Sequence, residues 1–215
     1  MQGATMIEIR HRQTRTVLCQ VEGDSLARQT FSAAKLVGAN FAGMDLTGAD
    51  FQRADLREAD FTDSKLDGAN FASALLTGAA FDGASLVQTD FTDCFAKGVG
   101  FHAVDLRKSN LRYAKLSECD FSEANLSGCD MSIAELNCDF SRATMTNTDL
   151  RGSNLAGAVF EGAKLAGANL SDAKVAGADM SGACVEGAIM APGRKLGAQM
   201  FKKKEKKAWW QFWGE

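Results

Sequence analysis

The chain has 215 residues, room for one sizeable domain or two small ones, and it carries 21 glycines against one proline and 14 phenylalanines against one tyrosine. No apolar run is long enough to cross a membrane and the start lacks the apolar stretch of an export signal, so the six cysteines, which are not in metal-ligand spacing, are expected to stay mostly reduced in a cytoplasm. The net charge of −3 conceals an acidic body and a basic end: residues 24–190 hold 14 Lys/Arg and 23 Asp/Glu, whereas residues 191–215 hold 7 and 2.

The first segment, IEIRHRQTRTVLCQVE, alternates at its start and is β-branched later. It predicts a β-hairpin over residues 7–22, turning near Gln13–Thr14, within an N-terminal unit of residues 1–23 that caps the coil following it, because the end of a stack leaves core and backbone groups uncovered.

From residue 24 to 190 one rhythm dominates. A large apolar residue recurs every five positions from Phe31 to Leu136, slips by one to Phe140, and continues every five to Met190, with Leu26 as an earlier member. Call that residue the centre, i. Position i−2 is small, mostly Ala, position i−1 is often Asp or Asn, and i+1 and i+2 are polar or Gly. An amphipathic helix would repeat apolar residues at three and four, and a long strand would alternate strictly. The spacing instead predicts a square coil in which each pentad forms one side and 20 residues make one turn. Coils stacked at about 4.8 Å bury together a core that none could bury alone. The 33 pentads give about eight coils and a rod roughly 40 Å long.

Labelling the sides A to D by successive pentads sorts the large residues. Phe31, Phe51, Phe71 and Phe91 stack on side A; Phe41, Phe61, Phe81, Phe101, Phe121, Phe140 and Phe160 stack on the opposite side C; sides B and D take mostly Leu. Two facing aromatic columns bury large areas.

Over residues 26–190 the sequence resembles the pentapeptide repeat family, whose pattern is A(D/N)LXX. The resemblance implies an all-β chain folded as a right-handed quadrilateral β-helix.

Two places break the rhythm. In CFAKGVGF, residues 94–101, the centre on side B is Ala96 and Phe95 takes the outward i−1 place. A local bulge that turns Phe95 inward competes with an exposed Phe95 that serves as a contact. In LNCDF, residues 136–140, one residue is missing, which should tighten a corner without ending the stack. Cys94, Cys119, Cys129 and Cys138 fall on the small inward i−2 place and read as packing residues, with Cys119 and Cys138 on adjacent coils of side C.

No catalytic constellation emerges. His11 belongs to the hairpin and His102 to an outward place, and no Ser-His-Asp or Cys-His arrangement can be built on them. The expectation is a protein that is not an enzyme and needs no cofactor or metal. Charge is the one surface signal. Summed over outward places, sides A, B, C and D carry −3, +1, −7 and 0. Side C holds Asp60, Asp63, Asp82, Asp120, Glu123, Asp139, Glu161 and Asp179 against Arg142 alone. Such a face suits a basic protein partner, and a train of negative charge has the character of a DNA duplex. The resemblance implies a specific version, since some family members mimic DNA and bind DNA gyrase. Gyrase-protecting members commonly carry loops projecting from the coil, and no long insertion interrupts this one.

Pro192–Gly193 ends the rhythm. Beyond it lie Lys202, Lys203, Lys204, Lys206 and Lys207, then Trp209, Trp210, Phe212 and Trp213. These rings suit a cap on the last coil or pairing of two chains, and the resemblance implies a homodimer through the C-terminal end. The alternative is a membrane surface, where lysines meet anionic lipid and tryptophans the interface. Direct nucleic-acid binding fits poorly with the acidic body.

Overall fold

The computed structural model describes residues 5–190 and the backbone of residues 194–195. Its strands are β1 (Met6–Arg10), β2 (Val17–Glu22), β3 (Phe95–Lys97), β4 (Lys115–Asp120), β5 (Glu135–Asp139), β6 (Asn169–Leu170), β7 (Ile189–Met190) and β8 (Arg194–Lys195), and the described residues contain no helix. Elsewhere the chain pairs through isolated parallel bridges between residues twenty apart, such as Thr30↔Asp50, Lys35↔Asp55, Asn40↔Asp60 and Asp45↔Lys65. These bridges form four ladders offset by five residues, here A to D in the order just given.

The five-residue rhythm follows from where the backbone N–H groups go. The centre donates to the next coil, as Phe51 N does to the Asn70 carbonyl at 2.7 Å. Position i+2 also donates forward, as Arg53 N does to Ala72 at 2.9 Å. The following i−2 residue closes a turn onto the centre, as Ala54 N does to Phe51 at 3.0 Å, and i−1 donates to the previous coil, as Asp55 N does to Ala34 at 2.9 Å. The turn puts i+2 at positive φ, which is why Gly recurs there, for example Gly78 at 70°. The fifth donor, at i+1, has no carbonyl. It is taken by the i−1 side chain: Gln52 N donates to Asp50 Oδ1 at 3.0 Å and Ala72 N to Asn70 Oδ1 at 2.9 Å. Asp and Asn recur at i−1 because both offer that oxygen two residues before the donor, and where they stand the accounting of donors closes.

Inside, the two aromatic columns are continuous. Phe51 and Phe71 stack with centroids 4.9 Å apart and planes at 7°; Phe61 and Phe81 stack at 4.8 Å and 5°. The columns also meet across the interior edge to face, Phe61 against Phe71 at 5.6 Å and 90°. From Phe31 to Phe101 each ring therefore combines stacking within its column with a T-shaped contact to the other, on top of the burial of its area, while Phe121, Phe140 and Phe160 stack within their column alone. The buried i−2 places are filled by Ala, Cys, Val99 and Val104, or small hydroxyls that return their hydrogen to a carbonyl, as Ser64 Oγ does to Phe61 at 2.6 Å and Ser153 Oγ to Leu150 at 2.6 Å. Burial pushes the thiol of Cys129 up to about 12.

At the start, β1 and β2 pair antiparallel and stand where a preceding coil would. Asn40 N, which would otherwise reach back one coil, donates to the Arg10 carbonyl at 2.8 Å, and Arg12 N donates to the Gly38 carbonyl at 2.8 Å. Ile9 is fully buried on the first coil. Gly38 is required twice over: its φ is 64°, and a Cβ there would overlap the His11 ring. At the far end β8 returns antiparallel against β7.

Both breaks in rhythm are resolved. The inward bulge of Phe95 is not what forms: Phe95 is 49% exposed, Ala96 is 1% exposed, and Phe95 keeps its place in ladder B between Leu75 and Lys115. The missing residue is a corner. Ser117 pairs with Asn137 and Asp120 with Asp139, so Glu118, at φ 56°, has no counterpart in the next coil. Without it β5 runs straight through the corner, and the stack continues.

Candidate partner-binding face

The eight acidic residues of side C fall in three columns along ladder C. The i−1 column reads Asn40, Asp60, Ala80, Gly100, Asp120, Asp139, Val159, Asp179 from coil to coil. Asp120 and Asp139 are direct neighbours, while Ala80 with Gly100, and then Val159, separate Asp60 and Asp179 from them. Asp82 and Glu161 stand at i+1, and Asp63 and Glu123 at i+2 beside Arg142. The face is thus acidic throughout but not a regular train of charge.

Most of these carboxylates also serve the coil. Asp60 accepts from Thr62 N at 3.0 Å, Asp120 from Ser122 N at 2.8 Å, Asp139 from Ser141 N at 2.8 Å, and Asp179 from Ser181 N at 2.9 Å. Asp82 covers a gap: residue 100 is Gly and offers no oxygen, so the His102 N–H goes to Asp82 Oδ1 of the preceding coil at 3.2 Å. Ladder D uses the same device, where Ser85 stands at i−1 and Val87 N donates to Asp67 Oδ1 at 2.9 Å. Glu123 pairs with Arg142 at 3.1 Å. Asp63 and Glu161 carry neither duty among the described residues and are exposed.

What marks this face is that none of its capping aspartates meets an arginine at i+1, although Asp45, Asp50, Asp90 and Asp130 on ladders D and A meet only Thr47, Gln52, Thr92 and Ser132 there too. Asp55, Asp105 and Asp149, on ladders B, D and A, are each gripped by an arginine two residues on, Arg57, Arg107 and Arg151, at 2.6–2.7 Å. Those guanidinium hydrogen bonds hold all three carboxyls below the ordinary aspartate range. On ladder C the same place is Thr62, Ser122, Ser141 or Ser181, which donate hydrogen bonds without bringing positive charge. Ser181 holds Asp179 below its ordinary value, as an anion. Sequence reasoning found the excess charge by register. It missed the capping duty, although the free exchange of Asp and Asn at i−1 signals that an acceptor oxygen is wanted there rather than a charge.

His102 Nδ1 lies 3.0 Å from Ser122 Oγ, and no described carboxylate completes a relay with it. Among the described residues no cluster of three His, Cys, Asp or Glu side chains is placed to hold a metal ion, and no helix is long and apolar enough to cross a membrane. Lys202, Lys203, Lys204, Lys206, Lys207, Trp209, Trp210, Phe212 and Trp213 lie outside the described residues.

Comparison with known proteins agrees with the fold. A family model of the pentapeptide repeat region matches residues 25–111, and one of pentapeptide repeats in eight copies matches residues 101–137, 136–155 and 153–190. No curated protein matches the chain. Among solved structures, it is similar to HetL, a pentapeptide repeat protein involved in heterocyst differentiation regulation from the cyanobacterium Nostoc sp. strain PCC 7120, at 26% identity over 80% of this chain and 89% of that one, with a TM-score of 0.40. Full-length QnrB1, a plasmid-mediated fluoroquinolone resistance protein, is 19% identical over 78% of this chain and 92% of that one, with a TM-score of 0.41. A pentapeptide repeat protein of the Arabidopsis thaliana thylakoid lumen is 27% identical over 62% and 63%, with a TM-score of 0.19. From the hairpin's edge to the last coil, the chain belongs to the pentapeptide repeat family.

Proposed function

We propose that the chain is a non-enzymatic scaffold, a right-handed quadrilateral coil of about eight turns, that presents ladder C to a basic protein partner in the cytoplasm. In this reading residues 1–23 cap the coil, residues 24–190 form it, and residues 191–215 are a separate tail. One observation carries the reading: side C gathers eight carboxylates against Arg142 alone, and none of its capping aspartates, Asp60, Asp120, Asp139 and Asp179, meets an arginine such as those that grip Asp55, Asp105 and Asp149 on ladders B, D and A. The coil needs their oxygen, and Asn would supply it. The retained charge is left over for a partner, and complementary charge gives speed and specificity of encounter.

The test uses that separation. Asp60→Asn, Asp120→Asn, Asp139→Asn and Asp179→Asn together keep every cap and remove four charges. The expected result is an unchanged fold and loss of salt-sensitive partners from a pull-down; an unchanged set of partners would sink the reading. The specific version is a type II topoisomerase such as gyrase, met by DNA mimicry. It predicts inhibition or protection in a supercoiling assay at micromolar protein, and neither effect would remove it.

A further inference from the structure

Four large apolar side chains are exposed along the coil, and they share one corner. Leu75 and Phe95 are successive residues of ladder B at i−1, 41% and 49% exposed. Tyr113 and Ile133, 44% and 51% exposed, are successive residues of ladder A at i+2, which is the turn leading into ladder B two residues later. On four consecutive coils the four therefore form a diagonal strip across the corner between ladders A and B.

The coil gains nothing from them. Leu75 and Phe95 occupy the place where Asp or Asn caps the i+1 donor, and neither can accept a hydrogen bond. Tyr113 and Ile133 sit at φ 61° and 56°, where Gly is the unstrained residue and a β-branched side chain is an outlier. A capping oxygen is missing at two sites, backbone strain is present at two, and apolar area meets water at all four. That combination marks a contact surface.

Its size selects the occupant. Each side chain shows about half its area, so the strip offers roughly 350 Å², well under the roughly 800 Å² per partner of a stable protein interface. It fits a short segment with a few aromatic anchors. The chain itself carries one: Trp209, Trp210, Phe212 and Trp213, following five lysines. The described chain ends at β8, four coil spacings from Ile133 and six from Phe95, or roughly 20–30 Å at strand spacing. The 13 residues from 196 to 208 span roughly 40 Å when extended, so the aromatic cluster reaches the strip. Asp172, Asp130 and Glu135 on the intervening surface oppose the lysine run in sign, while Arg151 and Lys174 there, Lys115 beside Phe95 and Arg112 over the Tyr113 ring share its sign, so reach and the aromatic anchors, not charge, select this segment. We propose that the aromatic end of this chain, residues 209–213, docks on the Leu75–Phe95–Tyr113–Ile133 strip of its own coil. This leaves ladder C open and does not depend on what binds there.

The chain's three tryptophans all lie in that segment, so intrinsic fluorescence reads the docking in the full-length protein without a label. The emission of the parent is expected to be blue-shifted from that of the guanidinium-unfolded chain. In the variant combining Phe95→Ser, Tyr113→Ser and Ile133→Gly it should move to the unfolded position, with far-UV circular dichroism unchanged. Tyr113→Asp alone, a change at an exposed turn, should move it part of the way. Parent emission already at the unfolded position overturns the proposal. So does the same emission in parent and variants, which would place the rings elsewhere, such as over the last coil. A blue shift that grows with protein concentration would assign the docking to a second copy, and one that appears only with phosphatidylglycerol vesicles would assign it to a membrane; either replaces the intramolecular contact.

Discussion

Residues 31–91 and residues 95–139 are built on the same pentad, yet they behave as two kinds of protein. In the first stretch every ring of ladders A and C touches others in its own column and in the opposite one, and the i−1 side chain caps the coil except at Lys35, Lys65, Leu75, Ala80 and Ser85. In the second, Leu111 and Met131 replace Phe on ladder A, ladder B straightens into the parallel sheet β3-β4-β5, and Phe95, Tyr113 and Ile133 of the apolar strip stand outside. The first stretch keeps Phe throughout ladders A and C, and Leu75 is its one exposed large apolar residue. The second departs from the repeat at exposed positions where the stack does not benefit. In a repeat protein, departures of the outer residues are where contact function is written, while the inner residues write only the fold.

The contrast breaks most visibly in the core. Phe71→Ala removes a ring stacked on Phe51 and Phe91 and edge-on to Phe61 and Phe81, and should lower stability by about 3–5 kcal/mol. Phe95→Ser removes a ring of equal size from the second stretch and should change it by less than about 0.5 kcal/mol, as an exposed substitution does. Guanidinium unfolding curves of the two variants measure the difference. Equal losses would mean that Phe95 belongs to the fold and that the contact reading of the strip is wrong.

The next effect in size is the cap. Asn70→Ala strands the Ala72 N–H and should cost about 1 kcal/mol, whereas Asn70→Asp should cost almost nothing, because the acceptor oxygen survives. In the opposite sense, Leu75→Asn restores an acceptor two residues before Thr77 and should raise stability by about 0.5–1 kcal/mol. Thermal unfolding orders the three. A destabilised Leu75→Asn protein would show that the strip supports the coil.

These two tests also mark what could be read from the residues alone. The period, the Phe columns and the inward i−2 places were legible because burial acts on every coil and leaves a mark each time. The hairpin was legible from alternation, and its capping place from the uncovered end that a coil leaves; the means was not, since it depends on the Arg10 carbonyl meeting Asn40 N. Phe95 was not legible. A single apolar residue beside a small centre fits both an inward bulge and an exposed ring, and only the pairing with Leu75 and Lys115 chooses between them. On the acidic face, register gave the location of the charge but not its double duty, since a carboxylate that caps and one that waits for a partner look the same in a string of letters.

Strain gives an effect of similar size with the sign reversed. Ile133 holds φ 56° with a branched side chain, and its ladder neighbour two coils on is Asp172, with Gly152 between them. Ile133→Gly relieves about 1–2 kcal/mol of left-handed strain and loses up to about 1 kcal/mol to glycine's greater freedom when unfolded. The net expectation is a protein as stable as the parent or up to about 1 kcal/mol more so, read by guanidinium unfolding. A clear loss would mean that Ile133 packs on something the coil needs.

The smallest effect separates the ladders by pH. Arginine hydrogen bonds hold Asp55, Asp105 and Asp149 below the ordinary aspartate value, so the folded state binds protons there less readily than the unfolded chain. Their contribution is complete above about pH 4, where the unfolded chain also carries them as anions, and it fades as pH falls through the lower folded values. Asp55→Asn, Asp105→Asn and Asp149→Asn together keep the caps and remove the pairs. Because the arginines are more than half exposed, the loss at pH 7 should be about 1 kcal/mol in all. The gap between parent and variant should then close as pH drops from about 4 toward 2. A gap that stays constant over that range would mean that the arginines act by packing over the coil rather than by charge, and the claim that Asp55, Asp105 and Asp149 are neutralised while the capping aspartates of ladder C are not would lose its basis.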